Sequence, residues 1–327
     1  MRPVAVLAAL AAALLLTAAA TAQTENSPTT PDEVKPEMLA KIRAAVPDKA
    51  PANPARARKL LVYNDCKGFR HDAIPVGTAM LQILAEKTGA FAVTVSTDPA
   101  VFKADSLRQF DAVCFNNATG ELFTDPELKQ ALLEFVRSGK GIVGIHAATD
   151  CFYNWPAFGE LLGGYFAGHP WNETVTVKID DPASPLNTPF GGQPFEIADE
   201  IYQFKSPYSR AVLHVLLSLD TSKTDMKKQG LGRPDNDYAV SWIRDYGKGR
   251  VFYCSLGHRH EVFATPAVVA HYLAGIQYAL GDLPADATPS AKYRPSISPA
   301  PAKPAVSAAP EAAPPAAEDD GPPPEDK

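Results

Sequence analysis

Histidines and carboxylates gather where apolar runs of this chain end. In KGIVGIHAATDCF (140–152) the run Ile142-Val143-Gly144-Ile145 stops at His146, and Asp150 follows four residues later. KLLVYNDCKGFRHD (59–72) ends in the same way on Asp65 and His71, and GRVFYCSLGHRHE (249–261) ends on His258, His260 and Glu261. Imidazole nitrogens and carboxylate oxygens are ligands for a divalent cation. Without a metal they donate and accept protons near neutral pH. Spacing leaves both chemistries open: there is no HExxH, and the histidines are far apart in sequence. Zinc is the expected ion if one binds. His169 in GYFAGHPW and Glu200 in ADEIYQF are further candidates. His214, inside the apolar run AVLHVLLSL, and His271, inside the last helical stretch, read as structural.

Several other chemistries lack their residues. No G-x-S-x-G occurs, and the elbow after Ile145 carries His146 and Ala147 where a hydrolase of parallel-sheet type places Ser or Cys. The turn NDCKGFRH holds a single glycine, which argues against a phosphate-cradling loop and a nucleotide cofactor. The four cysteines show no CxxC spacing. Cys114 and Cys254 lie in apolar runs and read as small core residues. Cys66 and Cys151 both follow strand ends, and a disulfide between them is left open.

Short strands alternating with helices are needed to hold these residues. Residues 60–63, 91–95, 112–115 and 141–145 read as strands. A helix over 73–87 carries Ile74, Val76, Leu81, Ile83 and Leu84 on its apolar side and stops at Gly89. A second helix opens on Thr124-Asp125-Pro126-Glu127 and closes at Ser138-Gly139. This alternation predicts a mainly parallel sheet flanked by helices, with right-handed crossovers. Ligands of such sheets bind just past the carboxyl ends of the strands, where the histidines fall. The second half is β-rich: residues 173–179, part of 194–204, 211–219, 238–246 and 250–256 predict antiparallel additions. The polar loop 220–237 interrupts them, and a helix over 266–280 closes the domain.

The ends of the chain differ from its middle. Arg2, an Ala/Leu-rich core and the small-x-small site Ala20-Thr21-Ala22 make residues 1–22 a secretory signal peptide, with a retained anchor as the alternative. The expectation is export to a periplasmic or extracellular space, with no membrane contact after cleavage. Residues 23–57 are read as a flexible linker and 285–327 as a disordered Pro/Ala-rich acidic tail. Residues 58–284 then form one domain. Net charge is −6 and no basic run is long, which excludes a nucleic-acid surface.

The motifs GFRHDAI (68–74), GKGIVGIHAATDCFYNWPAF (139–158), LLGGYFAGHPW (161–171), DEIYQF (199–204) and WIRDYGKGRVFYCSLGH (242–258) resemble the ThuA-like (trehalose utilisation) family over residues 58–284. The resemblance implies a flavodoxin-like fold related to class I glutamine amidotransferases, and a carbohydrate-related activity on a keto-sugar or similar substrate. It maps the family's shared residues onto His71, His146, His169, His258 and Glu200. The amidotransferases use a Cys at the elbow; His146 stands in that region here, so glutaminase activity is not expected. The combined expectation is an enzyme that hydrolyses, eliminates or isomerises a sugar. Its catalytic residues would be His146, Asp150, His258 and Glu200. Substrate would contact His71, Asp65, Trp155, His169 and Tyr202, and His71, His146 and His258 would hold a metal if one is used. Tyr165 and Trp171 are further aromatic candidates. The alternatives are a non-catalytic sugar-binding module and a scaffold tethered by its tail; the oligomeric state is open.

Overall fold

Strands whose every residue is apolar can only be buried on both faces. In the computed structural model, which describes residues 33–291, β1 (Lys59–Tyr63) turns Leu60 and Val62 to one layer and Leu61 and Tyr63 to the other. β3 (Ala112–Asn116) divides Ala112 and Cys114 from Val113 and Phe115 in the same way. Together with β2 (Ala92–Ser96), β4 (Gly141–Ile145) and β11 (Gly249–Cys254), they form a parallel unit in the order β2-β1-β3-β4-β11. That order is consistent with a flavodoxin-like sheet, whose ligands sit where the strand order reverses. Four antiparallel strands, β10 (Ala239–Tyr246), β9 (His214–Leu219), β6 (Trp171–Ile179) and β7 (Phe195–Ile201), extend it to nine, and the short β5 (Tyr165–Phe166) and β8 (Phe204–Lys205) pair apart from it.

Helices cover both faces. α2 (Ile74–Thr88) and α6 (Pro266–Leu280) share one core; α4 (Pro126–Arg137) and α5 (Pro156–Leu162) share the other with the short α3 (Ala104–Leu107). Asp125 caps α4 by accepting the Glu127 N–H at 2.8 Å. Among the described residues no helix is long and apolar enough to cross a membrane.

Two terminal expectations need correction. Residues 36–45, expected in a flexible linker, form helix α1 (Pro36–Ala45), which packs on α2. Ile42, Ala45 and Val46 are buried in the first core, and Arg43 pairs with Glu86 at 2.9 Å. The Ala- and Pro-rich composition hid a short amphipathic pattern. Residues 285–291, expected in the tail, are tied to β9: the Ser290 N–H donates to the Leu213 carbonyl at 2.8 Å, and the Ala291 N–H to that of Arg210 at 3.0 Å. His214 also bonds the Thr288 carbonyl at 2.6 Å and Asp181 at 3.0 Å, which fits its structural reading. The signal peptide and the rest of the tail lie outside the described residues.

The pairing of β6 positions the site. β6 pairs with β9 only through Val177 to Ile179, but with β7 from Trp171 to Val177. It runs opposite to β9, which is antiparallel to β10; β10 is antiparallel to β11, and β11 is parallel to β4. The free start of β6 and the end of β7 therefore project beyond the carboxyl ends of the parallel strands. This ribbon carries the DEIYQF motif.

Candidate active site

His146 follows β4 directly, on an elbow with φ +46°. Left-handed backbone is uncommon for a residue with a side chain. Here it turns a fully buried imidazole off the strand axis. Nδ1 lies 2.6 Å from the Ser255 carbonyl beyond β11, so it carries the proton and donates. That leaves the lone pair on Nε2, which accepts from the Tyr202 hydroxyl at 2.9 Å, with the Glu200 carboxylate 3.5 Å away. A histidine whose second nitrogen is fixed by a backbone carbonyl is in the state a metal ligand requires.

His71, in the loop after β1, and His258, beyond β11, complete the group. The His71 ring lies 5.0 Å from that of His146 and 5.5 Å from that of His258, centre to centre. His258 Nδ1 is 3.4 Å from Glu200 Oε2, and His169 Nδ1 is 3.2 Å from Glu200 Oε1. One donor atom from each of His71, His146, Glu200 and His258 lies within 4.8 Å of the others. His71, His146 and His258 thus share one donor group, while His260 pairs with Asp72 outside it. Glu200, expected as catalytic, stands among the donors, and Tyr202 and His169 line the same group.

Burial favours the neutral forms of His71 and His258 beside a carboxylate whose pKa is lowered. Burial, reinforced by His146 and His258, drives the His71 pKa down to about 3. Burial also lowers His258. For Glu200 burial acts upward, but a proton on His146, His258 or His169 would stabilise the carboxylate beside it, and the pKa falls below the usual range. Burial pushes the Tyr202 phenol well above its ordinary value, so it stays protonated. Donor atoms around one ion at 2.0–2.2 Å stand at most about 4.4 Å apart. The group is slightly open, and small rotamer changes would close it.

Asp199, which sequence reasoning passed over, supports this group. Fully buried at the end of β7, it accepts the Gly257 N–H at 2.6 Å and the Arg259 N–H at 2.9 Å. These amides bracket His258, and Gly257 adopts φ +139°, a conformation open to glycine. Below the elbow, Asn116 donates to Asn64, Thr78 and the Ile74 carbonyl, each at 3.1 Å, joining the ends of β1 and β3 to α2. The polar doublets Asn64-Asp65, Asn116-Asn117 and Asp199-Glu200 at strand ends were the available signals.

Three expected site residues stand outside the donor group. Asp65 accepts the Cys66 N–H at 2.9 Å and pairs with Lys67 at 3.1 Å. Asp150 accepts the Tyr153 hydroxyl at 2.5 Å. Trp155 packs edge-on against Phe152 at 5.2 Å and lies under Lys129. Tyr165 bonds the carbonyls of Phe152 and Trp155, and Trp171 is buried against Tyr238, so both are structural. All four cysteines are free thiols. Burial pushes Cys151 well above its ordinary pKa, which removes it as a thiolate nucleophile.

A family model described as ThuA, trehalose utilisation, matches residues 59–279. The chain belongs to the ThuA family. Two solved structures share the ThuA-like architecture. A ThuA-like protein from Bacteroides uniformis is 24% identical with a TM-score of 0.55, over 69% of this chain and 94% of that one. One from Parabacteroides merdae is 20% identical with a TM-score of 0.55, over 70% and 92%. At these identities the likeness is one of fold. A search of curated proteins found no match.

Proposed function

We propose that this ThuA-family protein is a carbohydrate-directed enzyme in which His71, His146, His258 and Glu200 hold a divalent metal, zinc being the first candidate. The donor group within 4.8 Å carries the reading. Burial favours neutral His71 and His258, and the Glu200 pKa is lowered, which is the protonation state a cation selects. The family description supplies the sugar. A bound metal would polarise a carbonyl or hydroxyl oxygen of the substrate.

The protein groups supply proton transfer and orientation. Tyr202, protonated and 2.9 Å from His146, is a hydrogen-bond donor facing the donor group. His169 is about half exposed and hydrogen-bonding distance from Glu200, so it exchanges protons with solvent. This arrangement suits proton removal beside a carbonyl, as in elimination or isomerisation of an oxidised sugar, or protonation of a leaving oxygen in hydrolysis. The Tyr202–His146 contact supports a metal-free second reading, acid–base chemistry by the same residues. The flavodoxin-like strand order suits the kinship with class I glutamine amidotransferases, while His146 at the elbow opposes glutaminase chemistry. Export rests on the leader sequence alone.

The test is elemental analysis of protein purified without chelator, followed by turnover of keto-sugars by the wild type, His146→Ala and His214→Ala. The metal reading expects about one ion per chain and a loss of roughly 10²-fold or more in rate for His146→Ala. His214→Ala should lower stability more than rate. Full activity in metal-free protein would leave the acid–base reading; an active His146→Ala would remove both.

A further inference from the structure

We propose that Phe69 is the platform on which the nonpolar face of the substrate's pyranose ring stacks; this rests on the sugar-directed reading above. Phe69 is 67% exposed, whereas every other phenylalanine of the chain is buried or half-buried. Its ring stands at 81° to that of His71, 4.8 Å away between centres. A ligand resting on Phe69 is therefore one ring from the donor group.

The exposure is built in. Thr119 holds the loop from both sides: its hydroxyl donates to the Phe69 carbonyl at 2.8 Å, and its carbonyl accepts the Lys67 and Gly68 N–H groups at 2.8 and 3.2 Å. A Cβ on Gly68 would come within 2.9 Å of the Thr119 hydroxyl oxygen, so only glycine permits this approach. His71 begins the entry to α2, accepting the Ile74 N–H at 3.3 Å. Phe69 thus sits on a pinned loop between two fixed points. Its ring contact is with His71 of the donor group, and it belongs to neither apolar core.

The surroundings select the occupant. Arg70 and Asp72 are exposed beside it, and His260 pairs with Asp72 at 3.3 Å. A protein-docking patch would be a wider apolar surface. A single aromatic face within a polar rim matches a ligand with one C–H face and a ring of hydroxyls. The π face is electron-rich and attracts the polarised C–H bonds of a pyranose. Across the pocket, Tyr202 touches Phe166 at 4.4 Å, and Phe166 stacks on His169 at 5.9 Å, so an aromatic wall stands on that side as well. Phe69 replaces Trp155 as the aromatic contact for substrate.

The test uses trehalose and methyl β-D-glucopyranoside as probes, with the open-chain sorbitol as a control. Binding is titrated and mapped by saturation-transfer NMR on the wild type, Phe69→Ala and Phe69→Trp. The expected result is saturation of ring C–H protons in the wild type and about tenfold weaker pyranoside binding by Phe69→Ala, equivalent to about 1.4 kcal/mol. Phe69→Trp should keep the wild-type affinity, and sorbitol should show no ring-type saturation. Phe69→Ala binding both pyranosides as the wild type does would overturn the platform alone. A wild type that binds neither pyranoside would overturn the platform, while keto-sugar turnover and metal content, measured separately, would still report on the sugar reading and on the donor group.

Discussion

Replacing Asp199 by Asn should loosen His258 without emptying the pocket. Asp199 accepts two backbone N–H groups, from Gly257 at 2.6 Å and Arg259 at 2.9 Å, with no solvent access. Hydrogen bonds to a charged group contribute about 1.5–3 kcal/mol each. Asparagine keeps one carbonyl acceptor and turns an NH₂ donor toward the other amide. One bond is lost, the other becomes neutral, and an amide is left facing a donor. Against this, burial raises the Asp199 pKa, so removing the charge relieves some desolvation. The net cost is about 2 kcal/mol, at the lower end of that range. Because both amides flank His258, the cost falls on the segment that aims its imidazole. Misplacing a supporting group of this kind weakens metal binding by about 10–100-fold. Hydrogen exchange at the Gly257 and Arg259 amides, paired with zinc titration of Asp199→Asn, His258→Ala and the double variant, reads both effects. The expected results are faster exchange at those two amides and a double variant little worse than His258→Ala. Unchanged exchange, or two penalties that simply add, would refute the positioning role.

His271 should supply an acid limb to the stability curve. Burial lowers its pKa to about 4 from an unfolded value of 6.5, so the unfolded chain binds the extra proton between those values. Stability is then full above about pH 6.5 and falls toward pH 4, by at most about 3 kcal/mol. Urea titrations across this range should show a flatter limb for His271→Gln; an identical slope would refute the assignment. Ile42→Ala should cost about 2–5 kcal/mol if α1 belongs to the core. An unchanged urea midpoint would return α1 to the status of a linker.

The parallel half of the fold was legible because its strands are short, mainly apolar and bounded by turn residues. The three imidazoles were legible for the same reason, since a polar side chain directly after such a run lies at the ligand-binding edge. Side-chain direction was not legible. Asp65, Asp150 and Trp155 occupy strand-end segments as His71 and His146 do, but face Lys67, Tyr153 and Phe152 instead. Glu200 was legible only as a further polar candidate in ADEIYQF, and Tyr202 only as an aromatic face for a sugar. Their approach to His146 depends on how far β6 overshoots β9, a register that no local pattern encodes. Helix α1 was hidden because alanine and proline dominate the composition around Ile42 and Val46.

The overhanging β6–β7 ribbon divides ownership of the donor group. His71, His146 and His258 belong to the parallel strands and their turns, while Glu200, Tyr202 and His169 arrive with the ribbon. The imidazoles come from one part of the sheet, and the ribbon brings the negative charge, the phenol and one aromatic wall from the other. Each point where the two parts meet joins segments distant in sequence, so the pocket closes only after the slow, long-range pairings of the second half have formed. Asp199 also rides on the ribbon, so a local opening that lifted it would strip the carboxylate and at the same time release the segment that aims His258.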